Sequence, residues 1–187
     1  MFESSLNSSS VPRRKLGVGA LFSIAAHAVA VVAVIHAERP IPAKTLVDAA
    51  IAEHAAAAQA AGLTLVGTVV EPVLPVQADP ERVALVFSNL LSNAIRHAPA
   101  KEPVEVRAEP DGRVVRFFVT DHGPGIPEDQ RQRVFEKFVR LPGAKGQGLG
   151  LGLYISREIV LAHGGDLGVD GAPGGGSRFW FTLPVVS

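Results

Sequence analysis

The sequence predicts an α+β protein in which a two-layer sandwich of helices on one sheet follows a single N-terminal transmembrane helix. Residues 16–37 form a run of 22 positions without a formal charge, which at ~1.5 Å per residue is long enough to cross a bilayer core. Helical and strand patterns mix through residues 38–187, and the strands are largely joined as hairpins. The chain is therefore divided into a basic leader (1–15), a transmembrane segment (16–37) and a soluble body (38–187).

Three interpretations of the N-terminal segment stay open: a transmembrane anchor, a cleaved signal peptide and a buried core helix. Small residues at 31–33 are typical of a cleavage site, and Arg13-Arg14 is a loose twin-arginine match. The apolar run exceeds the ~7–15 residues of a usual signal peptide, which favours the anchor. Arg13, Arg14 and Lys15 favour a cytoplasmic N-terminus, so a single pass would place the body outside the cytoplasm.

Within the transmembrane segment, Ser23 and His27 lie one turn apart on one helix face. A polar pair in a membrane helix usually faces protein or water rather than lipid. Together with the stretch 11–15 (Val-Pro-Arg-Arg-Lys), this pattern resembles the N-terminal anchor of TonB-type energy transducers. The resemblance covers residues 1–36 and implies a bacterial inner-membrane location and a proton-channel partner that is contacted through Ser23 and His27.

The first half of the body predicts two helices and a strand. The Ala-rich stretch 45–61 has a helical apolar face, and residues 63–70 have a strand pattern. A loop follows through Pro72 and Pro75. Asp79 is an N-cap residue with Pro80 at the first helical position, so the second helix is expected from there to about His97.

The second half of the body predicts a hairpin and further elements. Strands over 104–108 and 114–120 flank Asp111-Gly112, a dipeptide typical of hairpin turns. Gly164-Gly165 ends the last predicted helix. The remaining elements are a short helix over 127–140, a helix over 151–163, and strands over 166–170 and 177–183.

Composition excludes several functional classes. The chain has 18 Lys+Arg and 18 Asp+Glu, so it lacks the basic surplus of a nucleic-acid-binding domain, and no nucleic-acid partner is expected. The absence of Cys excludes disulfides, Cys-ligated zinc and thiol catalysis.

Two amides mark the second helix. Asn89 and Asn93 are four residues apart in an otherwise apolar helix, so they emerge on one face together with Arg96 and His97. Asn is a poor residue for a helix interior, and a buried amide needs a partner. Amide oxygens can ligate Mg²⁺, which usually also keeps waters and phosphate oxygens. The alternative is that these polar residues cap a loop.

Asp121 ends an apolar strand and is followed by Gly123, Gly125 and Ile126. A carboxylate beside glycines, which permit close approach, can accept a hydrogen bond from a ligand amine. The same residues are also typical of an ordinary turn.

The second glycine-rich stretch, residues 146–153, leads directly into a helix. Free N–H groups and the positive end of the helix dipole at such a place suit a phosphate. The spacing is not that of a P-loop, and the preceding helix and loop argue against a dinucleotide-binding βαβ unit. A flexible linker is the alternative, although linkers are not interleaved with Leu.

Four motifs occur in order along the body: Asn89-Leu-Leu-Ser-Asn93, Asp121-x-Gly123-x-Gly125, Phe135-Glu136-Lys137-Phe138 and Gly148-Leu149-Gly150-Leu151-Gly152-Leu153. In combination, they resemble the N, G1, F and G2 boxes of the catalytic ATP-binding domain of bacterial sensor histidine kinases, within the ATPase superfamily that has the Bergerat fold. The resemblance covers about residues 38–187. It implies a mixed sheet covered by about three helices, with ATP and Mg²⁺ as cofactors.

The resemblance also implies residue roles. Asp121 would bind the adenine amino group, and Asn93 would hold Mg²⁺ with Asn89 near the same ion. Asn89 stands where hydrolytic relatives carry a Glu base, and since an amide cannot take a proton from water, we expect slow hydrolysis and transfer to a protein nucleophile. The other residues would contact the nucleotide. Those beside the adenine are Gly123, Gly125 and Ile126, and those near the phosphates or ribose are Arg96 and His97. Lys137 would reach the γ-phosphate, and the phosphates would be surrounded by Gly148, Leu149, Gly150, Leu151 and Gly152.

A sensor kinase also needs a phosphoacceptor histidine on a dimerising helical hairpin, and it passes the phosphoryl group to a response regulator. Residues 37–45 leave no room for that hairpin, so we expect the histidine to come from another chain or segment. The alternatives are a serine kinase of the anti-sigma-factor type and a non-enzymatic TonB-like anchor. The need for ATP places the body in the cytoplasm, whereas the charges that flank the anchor favour the opposite side.

Overall fold

Residues 38–141 and 149–186 are described by a computed structural model of the chain. The leader and the predicted transmembrane segment, with Ser23 and His27, lie outside the described residues, and so does Gly148. Within the two described ranges, no helix combines the length and the apolar character that crossing a membrane requires.

Seven strands and three α-helices make up this part of the chain. In chain order they are β1 (Arg39–Pro42), α1 (Ala43–Ala60), β2 (Leu65–Val69), β3 (Pro75–Ala78), α2 (Pro80–His97), β4 (Val104–Asp111), β5 (Val114–Asp121), α3 (Gly152–Ala162), β6 (Leu167–Gly171) and β7 (Ser177–Pro184). Two 3₁₀ turns, Glu128–Gln130 and Arg133–Phe135, lie between β5 and α3.

Five of the strands form one sheet in the order β2-β4-β5-β7-β6. The β2–β4 pair is parallel, and the other three pairs are antiparallel. A second, two-stranded antiparallel sheet joins β1 and β3. The mixed sheet and the three α-helices of the described residues confirm the predicted two-layer α/β sandwich.

The core of the sandwich lies between α2 and the inner face of the sheet. Phe117 of β5 stacks on Phe181 of β7 with ring centroids 4.9 Å apart, and Phe87 of α2 meets both rings edge-on. Burial of each such side chain contributes roughly 1.5–3 kcal/mol. The same helix register leaves Asn89 and Asn93 half-buried beside this apolar stripe, which is how core packing positions the predicted amides.

Two predicted elements are wrong. The predicted helix over 127–140 is replaced by the two 3₁₀ turns, because its buried residues, Val134 and Phe135, are adjacent rather than spaced as one helical face, and Phe138 has a left-handed φ of 62°. The predicted loop through Pro75 contains β3, which pairs with the unpredicted β1. A small sheet with two edge strands accepts the prolines that a central strand would exclude.

Candidate functional site

A cavity of about 470 Å³ opens between α2, the segment that follows β5 and the start of α3. Most of the predicted site residues meet in its lining. Those residues are Asn89, Asn93, Arg96, His97, Asp121, Gly125, Ile126, Leu149, Gly150, Leu151 and Gly152. Gly123 lies beside the lining, where it is bonded to Asp121.

Asp121 is the buried carboxylate of the cavity, with 3% of its surface exposed. The Gly123 N–H donates a hydrogen bond of 2.8 Å to Oδ1. Burial raises the pKa of Asp121, while the backbone N–H groups of Gly123 and Ser177 and the nearby His97 and His122 oppose that rise. The carboxyl group is thus held in place by backbone donors and is available as a hydrogen-bond acceptor.

Glycines let the backbone close tightly around Asp121. A Cβ at Gly123 would stand 2.7 Å from the His97 carbonyl oxygen, and a Cβ at Gly176, whose φ is +99°, would overlap the Asp121 carbonyl oxygen. A Cβ at Gly125 would stand 3.0 Å from the Gly176 carbonyl oxygen. The turn between β6 and β7 therefore packs directly against the loop after β5, and larger residues at these contacts would push the two apart.

Asn89 spans the gap between α2 and α3. Its Nδ2 donates hydrogen bonds to the Gly152 carbonyl oxygen at 3.1 Å and to Ser156 Oγ at 3.0 Å. The prediction placed Asn89 near a metal ion, and the structure places its amide nitrogen on the first turn of α3.

The start of α3 faces the cavity without a side-chain cap of its own. The helix begins at Gly152, after Leu151, and no side chain caps it there. Backbone N–H groups of a first helical turn have no partner within the helix, and the dipole end at this place favours an anion. Leu149, 72% exposed, forms part of the rim.

Asn93 and Arg96 lie along the cavity on the side of α2. Arg96 Nη1 stands 3.5 Å from Asn93 Oδ1, a long hydrogen bond. The amide oxygen of Asn93 is a hard donor of the kind that Mg²⁺ prefers, so the chemistry of this part of the lining fits that ion.

Lys137 does not line the cavity. Its ammonium lies 4.7 Å from the ring centroid of Tyr154, which is a cation–π contact. The neighbouring Phe138 donates its N–H to the Gly150 carbonyl oxygen at 3.0 Å. The segment 135–138 therefore packs against the start of α3, and the Lys137 ammonium lies on the Tyr154 ring outside the cavity lining.

The sequence interpretation missed part of the lining, above all Ser177 and Phe179 of β7. The strand register pairs Ser177 with Asp121, and Phe179 meets Phe135 edge-on with ring centroids 6.4 Å apart. The period-two alternation of β7 carries this signal, because Ser177 and Phe179 share a face with the buried Phe181. The other missed lining residues are Ser92, Pro124, Val134, Val139, Arg140, Leu141 and Leu153.

A helix-covered mixed sheet with a buried carboxylate at one part of a cavity and a glycine-fronted helix at another defines a nucleotide-binding protein. The chain belongs to the family of histidine kinase-, DNA gyrase B- and HSP90-like ATPases, whose family model matches residues 78–187. The expected ATP-binding domain of the histidine kinase type is thereby confirmed. This match does not extend to residues 1–36, and the TonB-type resemblance stays a prediction.

Relatives and solved structures agree with this family. The adaptive-response sensory kinase SasA of Nostoc sp. is 43% identical over 112 residues, which are 59% of this chain and 28% of SasA. The chain thus spans under a third of the length of that relative. Full-length ShkA in complex with AMPPNP superposes with a TM-score of 0.75 at 31% identity, over 90% of this chain and 36% of ShkA. The mycobacterial sensor histidine kinase MprB gives 0.68 at 30% identity, over 80% and 98% of the two chains.

Proposed function

We propose that the chain binds Mg-ATP in this cavity and transfers the γ-phosphoryl group to a histidine supplied by another chain or segment, from which it passes to a response regulator. The observation that carries the proposal is the shared lining: Asp121, which suits an adenine, and the glycine-fronted start of α3, which suits phosphates, face one cavity of about 470 Å³. That volume lies in the usual range of small-ligand sites. The complex of ShkA with AMPPNP, an ATP analogue, supports the assignment.

Asp121 recognises the adenine in this proposal. Its carboxylate accepts a hydrogen bond from the exocyclic amino group, and the two backbone N–H donors keep it oriented for that bond. Ile126, Val134 and Phe179 supply the apolar lining that the faces of an adenine ring require.

The phosphates lie toward α2 and α3. The Asn93 oxygen holds Mg²⁺, and the first-turn N–H groups of α3 bind phosphate oxygens. Mg²⁺ supplies neutralisation of the charge on the phosphoryl group, so the protein contributes mainly positioning and electrostatic stabilisation. Arg96 and His97 line the same cavity and add positive or hydrogen-bonding groups.

Asn89 and Lys137 have limited roles in the chemistry. The Asn89 amide cannot act as a base toward water, so ATP is preserved for the protein acceptor. Lys137 reaches a γ-phosphate only after its ammonium leaves the Tyr154 ring, an exchange that costs about 0.5–1 kcal/mol at an exposed site.

We propose further that residues 16–37 anchor the chain once in the bacterial inner membrane, after the leader 1–15. The body from residue 38 onward lies on the cytoplasmic side, because ATP is available there. The charged residues that flank the anchor favour the opposite orientation, so protease protection of the body in sealed vesicles of known orientation decides the topology. Co-purification with a proton-channel complex after mild detergent extraction tests the role of Ser23 and His27.

Calorimetric titration of Mg-ATP into the full chain tests the nucleotide site. We expect saturable binding in the micromolar range, its loss in Asn93→Ala, and its retention in Gln59→Ala, a matched amide removal on the exposed side of α1. Unchanged affinity in Asn93→Ala would refute the metal assignment.

The transferred phosphoryl group identifies the acceptor. With radiolabelled ATP and a separate phosphoacceptor hairpin, we expect an acid-labile, base-stable product, as phosphohistidine is. An acid-stable product on a Ser or Thr would instead favour a serine kinase of the anti-sigma-factor type.

A further inference from the structure

Ser156 lies on the second turn of α3 and is completely buried. Its hydroxyl donates to the Gly152 carbonyl oxygen at 3.0 Å and accepts from Asn89 Nδ2 at 3.0 Å. Asn89 Nδ2 donates to the same carbonyl oxygen at 3.1 Å. Three polar groups from two helices thus form one closed set, which we name the α2–α3 clamp (Asn89, Gly152 and Ser156).

We propose that Asn89 and Ser156 are positioning residues that set the place of the first turn of α3, and with it the phosphate-binding end of the cavity. The proposal rests on the proposed function, since it concerns the phosphate half of the same nucleotide site. It gives Ser156 a role in phosphate binding although Ser156 does not line the cavity.

The orientation of the Asn89 amide follows from its partners. The Gly152 carbonyl oxygen can only accept hydrogen bonds, so the atom of Asn89 that faces it is the nitrogen. Nδ2 donates both to this oxygen and to Ser156 Oγ, so the nitrogen side of the amide faces α3. A carboxylate at position 89 would set an oxygen against the carbonyl oxygen of Gly152, which is repulsive.

The first turn of α3 needs this support for a local reason. It begins with Gly152, a residue that costs roughly 1 kcal/mol relative to Ala in a helix, and it has no side-chain cap. Glycine gives the closest approach there, because a Cβ at Gly152 would stand 3.1 Å from Asn89 Oδ1, a contact that Asn89 could relieve only by shifting. Close approach of the two helices therefore weakens the helix start, and the clamp restores its position.

The clamp acts on one half of the cavity. Asp121 projects from the end of β5 and is held by Gly123 and Ser177, which belong to neither helix. Loss of the clamp should therefore displace phosphate contacts and leave adenine contacts in place. A residue that only stabilises the fold would affect both halves alike.

The test compares Mg-ATP with adenosine as ligands of the full chain, in wild type and in Ser156→Ala. We expect Ser156→Ala to weaken Mg-ATP about tenfold, the scale of one buried hydrogen bond, and to change adenosine affinity by less than about twofold. Thr182→Val is the matched control, because the buried Thr182 Oγ1 accepts from the Asp166 N–H at 2.8 Å and Thr182 is outside the cavity lining. This variant should leave the ratio of the two affinities at its wild-type value.

The outcomes separate the two levels of the proposal. Equal losses for both ligands in Ser156→Ala, or no loss for Mg-ATP, would overturn the positioning role while leaving the nucleotide site intact. Failure of the wild-type chain to bind Mg-ATP would overturn the proposed function and the clamp with it. If Ser156→Ala does not fold, Ser156→Cys retains a weak donor at this position in a somewhat larger side chain, and a selective loss for Mg-ATP is again expected.

Discussion

The imidazole Nε2 of His163 accepts a hydrogen bond of 3.1 Å from the backbone N–H of Asp79. Because Nε2 accepts, the ring proton is on Nδ1, which donates to the Ile159 carbonyl oxygen at 2.7 Å. Asp79 caps α2 and His163 follows the last residue of α3, so this bond joins the beginning of one helix to the end of the other. Together with the α2–α3 clamp, it connects the two helices at two levels.

Replacement of His163 by Ala should therefore destabilise the fold more than a similar loss elsewhere. His54 is the matched control, since it is also buried and its ring also bonds a carbonyl four residues earlier, that of Ala50. We expect His163→Ala to lower the free energy of unfolding by about 1–3 kcal/mol more than His54→Ala, because only the former leaves a buried N–H of another helix without its partner. Urea denaturation measures the difference, and equal losses would contradict the role of the Asp79 bond.

Asp121→Asn should raise the stability of the fold near neutral pH and weaken nucleotide binding. Burial raises the pKa of folded Asp121, so between the ordinary aspartate pKa and the raised value the folded state binds more protons than the unfolded state. Stability contributed by this site then falls as the pH rises through that window, and the full penalty is present above the raised pKa. The amide carries no charge and therefore removes the penalty. It has one acceptor oxygen instead of two, however, and the N–H groups of Gly123 and Ser177 compete with the adenine amine for that oxygen.

Thermal unfolding at several pH values checks this prediction. We expect Asp121→Asn to unfold at a higher temperature than wild type near neutral pH, to lose the excess pH dependence, and to bind Mg-ATP about 100-fold more weakly or worse. Asp129→Asn, which changes an exposed carboxylate, should match the wild type. A wild-type stability that rises relative to Asp121→Asn across the window would show that the sign is wrong.

Two glycines of the β6–β7 turn offer a test of the close contact with Asp121. Both Gly174 and Gly176 have positive φ, but a Cβ at Gly174 meets nothing within 4 Å, whereas one at Gly176 overlaps the Asp121 carbonyl oxygen. We expect Gly174→Ala to cost about 1–2 kcal/mol from backbone strain alone. Gly176→Ala should cost at least about 2 kcal/mol more and also weaken Mg-ATP binding. Chemical denaturation and calorimetry measure the two effects, and similar results for both variants would contradict the packing of this turn.

Hydrolysis of ATP by the chain without an acceptor should be slow. Asn89 cannot take a proton from water, and its nitrogen is directed at α3. We expect phosphate release far below about 1 s⁻¹, the low end of ordinary enzyme turnover. A coupled phosphate-release assay with Asn93→Ala as the background measures it, and a rate that reaches ordinary turnover in the wild type alone would refute the assignment of Asn89.

Most of the fold was predictable because its elements carry strong local signals. Asp79 and Pro80 begin α2 as the capping pattern requires, and Asp79 accepts hydrogen bonds from the N–H groups of Glu81 and Arg82. The turn between β4 and β5 was likewise predicted from Asp111-Gly112. The helix predicted over 127–140 is wrong because the buried residues of that segment, Val134 and Phe135, are adjacent and do not form one helical face. Strands β1 and β3 were missed because their pairing joins segments that are distant in the chain, which no local pattern indicates.

By itself, the sequence determined the order of most of the elements and the residue types that the cavity brings together, since helical periodicity, strand alternation and glycine-rich turns are local properties. Only the tertiary structure decided how those residues are used. It directed the amide of Asn89 to α3 and placed Lys137 on Tyr154. It also brought Ser156 to Asn89, Ser177 to Asp121 and His163 to Asp79. These pairings join residues far apart in the chain, and their geometry follows from helix packing and strand register, which no local pattern specifies.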